Sequence, residues 1–148
     1  MKLADILSAN RVAAGVAVTS KKRALEEVAK LLALGAPSVS HVDILNSLAN
    51  REKLGSTGLG HGVAIPHGRM AGVSGSIGAF VRLKHAVDYE THDGQPVDLV
   101  FGLLVPQNAT GEHLQHLAAI AEKFSDDAFC VQVREAPDEA ALHALLMR

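Results

Sequence analysis

Between Lys21 and Leu34 the apolar residues Leu25, Val28, Ala29, Leu31 and Leu32 recur at helical spacing. That pattern predicts an amphipathic helix capped by Ser20 and stopped by Gly35. A second helix is expected to start at Ser40 and Asp43, spaced like a capping box with Asp in the acidic place, and to run through Ile44, Leu45 and Leu48 to about Lys53. Gly55 ends it. The small residues Gly55-Ser56-Thr57-Gly58-Leu59-Gly60-His61-Gly62 read as a loop leading into the short apolar run Val63-Ala64-Ile65-Pro66. Because proline removes a ladder donor, that run is expected at a sheet edge or a strand end. Ser76 to Leu83 reads as a strand, and the nearly continuous apolar run Val97 to Val105 as a central one, with Asp93-Gly94 turning between them and Pro106 closing the second. A helix starting at Thr110 or Gly111 is predicted to bury Leu114, Leu117, Ala118, Ala121 and Phe124. Two shorter helices follow near Asp127 to Glu135 and Pro137 to Met147, with Pro137 in a first turn. Val12 and Val16 to Val18 suggest a short hairpin. Helices, then strands, then helices predict an α/β fold: a mixed β-sheet of about five strands flanked on both faces by helices.

A chain of 148 residues has the length of one average domain, and no repeat, linker or low-complexity tract divides it. Residues 1–148 are therefore expected to form a single domain. Apolar residues make up 48%, but their runs fall far short of the roughly 20 needed to span a bilayer, so no membrane insertion is expected. Asp5 interrupts the first apolar stretch and Asn10-Arg11 closes it, which does not read as a secretion signal. A lone cysteine, Cys130, with no CxxC pair fits a reducing cytoplasm. The net charge is −2 with both signs scattered, so nucleic-acid binding gains no support. Aromatics are only 3%, which leaves polar groups as the expected grip on any ligand.

The candidate chemistry centres on His67, which follows Pro66 at the end of an apolar run and precedes Gly68. The loop before it, with Ser56, Thr57, Gly58, Gly60 and Gly62, has the composition to turn backbone N–H groups toward an anion, phosphate being the obvious one. Histidine suits reversible phosphoryl transfer because its neutral ring offers an unprotonated nitrogen near neutral pH. Such transfer depends mainly on positioning and on cations near the equatorial oxygens. Arg51, just before the loop, can supply a planar fork that lysine could not match. His113, in the first turn of the later helix, can hydrogen-bond a phosphoryl oxygen or the reactive ring. His116 lies one turn on, and His61 sits within the loop; either could contribute. His113 and His116 with His61 and His67 could instead form a zinc site, but no acidic or cysteine ligand stands beside them, so no metal or other cofactor is expected. The loop is not a nucleotide fingerprint either, for no Gly-Lys-Ser/Thr follows and the GxGxxG spacing is broken. His41, His85, His92 and His143 read as ordinary surface or packing residues.

The stretch Glu52-Lys-Leu-Gly-Ser-Thr-Gly-Leu59-Gly60-His-Gly-Val63-Ala64-Ile65-Pro66-His67-Gly68 resembles the active-site signature of enzyme IIA of the mannitol/fructose type in the bacterial phosphotransferase system. The resemblance extends to Gly94-Gln95-Pro96-Val97-Asp98-Leu99 and Glu112-His113-Leu114, and Leu54-Gly55-Ser56-Thr57-Gly58 is most similar to the nitrogen-regulatory branch. It implies a phosphotransferase component whose covalent intermediate is a phosphohistidine at His67 Nε2, with His113 supporting and Arg51 stabilising the transferred group. It also implies a mixed sheet sandwiched between helices, an HPr-like phosphocarrier (NPr) as donor, and regulatory targets such as kinases or transporters. The alternative within the family is a sugar-specific IIA passing phosphate to the IIB component of a fructose/mannitol-type permease. Outside it, the alternative is an interaction module whose histidine no longer reacts.

Overall fold

A computed structural model of the chain describes residues 2–148. Two 3-10 turns, Leu3–Asp5 and Ala9–Arg11, precede strand β1 (Val12–Val16) and helices α1 (Lys21–Leu34) and α2 (His41–Lys53). Strands β2 (Gly58–Gly60), β3 (Val63–Ala64), β4 (His67–Met70), β5 (Ile77–Val87) and β6 (Val97–Pro106) follow, then helices α3 (Gly111–Phe124), α4 (Asp127–Glu135) and α5 (Glu139–Leu146). The first two helices start where capping chemistry allows: Ser20 accepts from the Arg23 N–H, and Ser40 from those of Val42 and Asp43.

The sheet is mixed, in the order β1-β5-β6-β3-β2, with β4 also on β6. β6 is the central strand its apolar run predicts, antiparallel to β5 and parallel to β3 and β4. Side chains alternate across the sheet, so each face receives its own core. Phe80, Leu99, Phe101, Leu103 and Val105 pack against α3, α4 and α5, while Ala79, Val81, Leu83, Val100 and Leu104 pack against α1 and α2. Helices on both faces are thus a consequence of apolar residues on both faces. The Arg82 guanidinium leaves β5 to donate to the carbonyls of Val133 (2.8 Å) and Ala136 (2.7 Å), capping the end of α4.

Several local expectations are corrected. The hairpin at Val12 and Val16 to Val18 does not form: β1 is a single strand parallel to β5, with Val12 opposite Phe80. An isolated hairpin buries too little to persist, whereas this pairing carries Val12 into the core. The glycine segment is not all loop, since Gly58–Gly60 is a sixth strand antiparallel to β3, which makes β3 an inner strand rather than an edge. The proline effect appears instead as a break: pairing along β6 stops at Ile65-Pro66 and resumes at β4, and the Pro66 carbonyl still accepts from the Leu103 N–H at 3.0 Å. Pro137 lies outside α5, because Asp138 takes the cap position and accepts from the Ala141 N–H at 2.8 Å. In α3, Ile120 and Phe124 are buried, but Leu114 is 47% exposed. Only the C-terminal half of that helix lies on the sheet; its N-terminal half overhangs a cavity.

Candidate active site

The break at Ile65-Pro66 puts His67 at the first position of β4, opposite Leu103. Its half-buried ring folds back on the strand, and Nδ1–H donates to the Ile65 carbonyl at 2.9 Å. That bond defines the tautomer, leaving Nε2 with the lone pair. Desolvation holds the imidazole below its ordinary value, the Ile65 hydrogen bond opposes this, and the charges of Arg51 and Glu52 act in opposite directions. The lowering favours the neutral ring near neutral pH.

This lowering has a sign that can be measured. Between the ordinary imidazole value of about 6.5 and the lower folded value, the unfolded chain binds the proton more readily. The contribution of His67 to stability is complete above that ordinary value and is lost as pH falls toward the folded one. Thermal unfolding followed from about pH 8 to about pH 5 is expected to show a steeper loss in the wild type than in His67→Gln, and equal slopes would contradict the assignment.

Arg51 reaches the same place because α2 lies close against β4. Gly68 makes this approach possible: a Cβ there would collide with the Ser47 side chain. The Ser47 hydroxyl donates to the Arg69 carbonyl at 3.3 Å and fastens helix to strand. Arg51 spends one nitrogen on the Gly55 carbonyl (2.9 Å), which fixes the fork and leaves its other donors for a ligand. His67, Arg51, Thr57 and Gly58 line one side of a cavity of about 400 Å³, and Leu114, Leu117, Ala118 and Ala121 of α3 form an apolar wall.

The other expected site residues stand apart from that lining. His113 does not line the cavity, although its neighbour Leu114 does. The Thr110 N–H donates to His113 Nδ1 at 3.2 Å, so a neutral His113 carries its proton on Nε2 and is a donor, the reverse of His67. His116 Nδ1 is engaged by the Ser76 hydroxyl at 2.6 Å, which ties α3 to the start of β5. The expected anion nest of Ser56 to Gly62 does not form as a unit, because three of its amides have internal partners. Thr57 N–H donates to Glu52, Gly58 N–H to the Ser56 hydroxyl, and His61 N–H to Asp93. Gly60 and Gly62 lie outside the His67 cavity; His61 and Gly62 face Asp98 and Arg134, whose guanidinium donates to the His61 carbonyl at 2.8 Å. Among the described residues no group of three or more His, Cys, Asp or Glu side chains could hold a metal ion.

One cluster has no counterpart in the sequence reading. Glu52 is buried beside Arg51 and accepts from the Tyr89 hydroxyl at 2.8 Å, from the N–H and hydroxyl of Thr57, and from Lys21 Nζ at 3.2 Å. Burial and the neighbouring carboxylate push the Tyr89 phenol well above its ordinary range, so it stays a donor. The only sequence signals were an acidic residue adjoining the candidate arginine and the chain's sole tyrosine.

Comparison with known proteins bears on the family and the fold. The family model described as phosphoenolpyruvate-dependent sugar phosphotransferase system, EIIA 2, matches residues 5–148. A nitrogen regulatory protein of Pseudomonas aeruginosa is 42% identical over 147 residues, covering 99% of this chain and 96% of its own. The crystal structure of nitrogen regulatory protein IIA-Ntr from Neisseria meningitidis superposes with a TM-score of 0.91 at 46% identity, over 97% of this chain and 98% of that one. Enzyme IIA mannitol of Escherichia coli, solved in complex with phosphorylated enzyme IIB mannitol, shares the fold at a TM-score of 0.75 and 21% identity, over 95% of this chain and 96% of that one. No helix among the described residues is long and apolar enough to cross a membrane. With the model matched almost from end to end and a relative this similar over its full length, the chain belongs to the EIIA 2 family of the phosphoenolpyruvate-dependent sugar phosphotransferase system, and is a IIA component of that system.

Proposed function

We propose that this IIA component is a phosphohistidine carrier whose acceptor is His67 Nε2. The observation that carries the reading is the Nδ1–H bond to Ile65, which leaves the Nε2 lone pair in a cavity shared with the Arg51 guanidinium. In the transfer, that lone pair attacks phosphorus and the donor's P–N bond breaks, its electron pair returning to the donor imidazole. The loose transition state needs charge stabilisation at the equatorial oxygens, which Arg51 supplies, and little covalent help. His113, as an Nε2–H donor, supports the phosphoryl group once a partner has docked. The exposed Leu59 and Leu114 beside the cavity let a docked partner exclude water from the reaction.

The donor in this reading is an HPr-like phosphocarrier (NPr), and the protein works in the cytoplasm as one domain over residues 1–148. Its output is regulatory, as the similarity to nitrogen regulatory proteins suggests: a phosphoryl group adds about −1.5 to −2 charge, which disfavours acidic or apolar target surfaces on kinases or transporters. Incubation with enzyme I, the carrier and phosphoenolpyruvate is expected to give an acid-labile adduct on the wild type; no adduct overturns the reading. Arg51→Ala should slow its formation by about ten- to a hundredfold, the equivalent of one charged hydrogen bond, and Arg51→Lys should recover only part of the loss. A wild-type rate in Arg51→Ala removes that residue from the mechanism.

A further inference from the structure

The geometry points to Glu52 as a positioning residue that, acting through Thr57 and Ile65, holds the His67 ring with Nε2 unprotonated. This rests on His67 being the acceptor proposed above. Only 5% of the Glu52 side chain is exposed, and carboxylates are almost never buried this deeply unless paired. Four donors converge on it: the Lys21 ammonium, the Tyr89 hydroxyl, and the N–H and hydroxyl of Thr57. The Thr57 carbonyl in turn accepts from the Ile65 N–H at 3.0 Å, and the Ile65 carbonyl accepts from His67 Nδ1–H at 2.9 Å. Hydrogen bonds relayed through the backbone of Thr57 and Ile65 therefore link a buried charge to the nitrogen that must stay protonated. Thr57 and Ile65 are each held at both N–H and carbonyl, so the aim of the Ile65 carbonyl depends on Thr57, and Thr57 on Glu52.

A purely structural role does not require a carboxylate, since well-packed apolar residues often replace buried ion pairs without loss of stability. The charge has a second consequence. Glu52 and Arg51 adjoin on α2 and oppose one another at His67, the carboxylate sustaining the basicity that the guanidinium and burial reduce. Arg51 can thus face the phosphoryl group without leaving the ring a poor nucleophile. Partners that orient the second nitrogen of a ligating histidine act in the same way, and their loss typically costs about 10- to 100-fold.

The test reads the ring directly, without phosphate. Long-range proton–nitrogen NMR on the full chain is expected to show the Nδ1–H tautomer of His67 in the wild type. In Glu52→Gln the tautomer ratio should shift by about two- to tenfold toward Nε2–H, the equivalent of one hydrogen bond's net worth. Phosphorylation of that variant should slow by about ten- to a hundredfold. Thr57→Ser, which keeps the hydroxyl, should retain more of the native tautomer than Thr57→Val. If Glu52→Gln does not fold, Tyr89→Phe removes one donor while keeping the ring's packing, and should shift the tautomer in the same direction. A folded Glu52→Gln, or failing that Tyr89→Phe, with the wild-type tautomer overturns the inference and leaves the acceptor reading standing. A shifted tautomer in a protein whose wild type takes no phosphate overturns the acceptor reading and leaves the role of Glu52.

Discussion

His67→Ala takes up no phosphate from the donor system, whereas His92→Ala, altered at an exposed position away from the cavity, reaches wild-type stoichiometry. The loss is expected to be complete because no neighbouring group can substitute. Neither His113 nor His116 lines the cavity, and both are engaged elsewhere: His113 Nδ1 accepts from Thr110, which makes its Nε2 a donor, and His116 Nδ1 is held by Ser76. A guanidinium offers donors only and no lone pair that could attack. Intact-mass analysis of the mixture reads the result, and an adduct persisting in His67→Ala would place the acceptor elsewhere.

Phe124→Ala is expected to cost about 3–5 kcal/mol of stability, the range for deleting a buried phenyl ring. Phe124 is 3% exposed and stacks on Phe80 at 5.6 Å between centroids, with Phe101 at 5.9 Å and Phe129 at 5.4 Å. It joins the end of α3 to both central strands and to α4, so its removal leaves a cavity that surrounding aliphatics fill only partly. For a chain of this length the melting temperature should fall by about 6–20 °C. Because α3 carries the apolar wall beside His67, phosphoryl transfer should weaken well before the unfolding transition. A loss below about 1 kcal/mol would contradict the packing described for α3.

The elements legible in the sequence were those whose signals are local. Lys21–Leu34 has its cap and apolar period within one segment, and the β6 apolar run announces a strand covered on both faces. Pairings between distant segments were not legible in the same way. β1 needs β5 as a partner, and Gly58–Gly60 becomes a strand only because β3 lies alongside it. The same division runs through the site. His67 and Arg51 stood out by residue type and neighbours, and the structure brings both to one cavity. The loop composition suggested free amides, yet whether an amide is free depends on acceptors such as Asp93, which is 32 positions from His61. Glu52 and Tyr89 are 37 positions apart and meet only in the folded chain, so a buried carboxylate bound to a buried phenol had no signature along the sequence.

The central claim is that His67 Nε2 carries the phosphoryl group, and NMR of the phosphorylated, nitrogen-labelled protein tests it most directly. Phosphorus–nitrogen coupling at Nε2 of His67, with Nδ1 still protonated against the Ile65 carbonyl, is the predicted result. Coupling at Nδ1 of that ring, or at any nitrogen of His113 or His116, would contradict it.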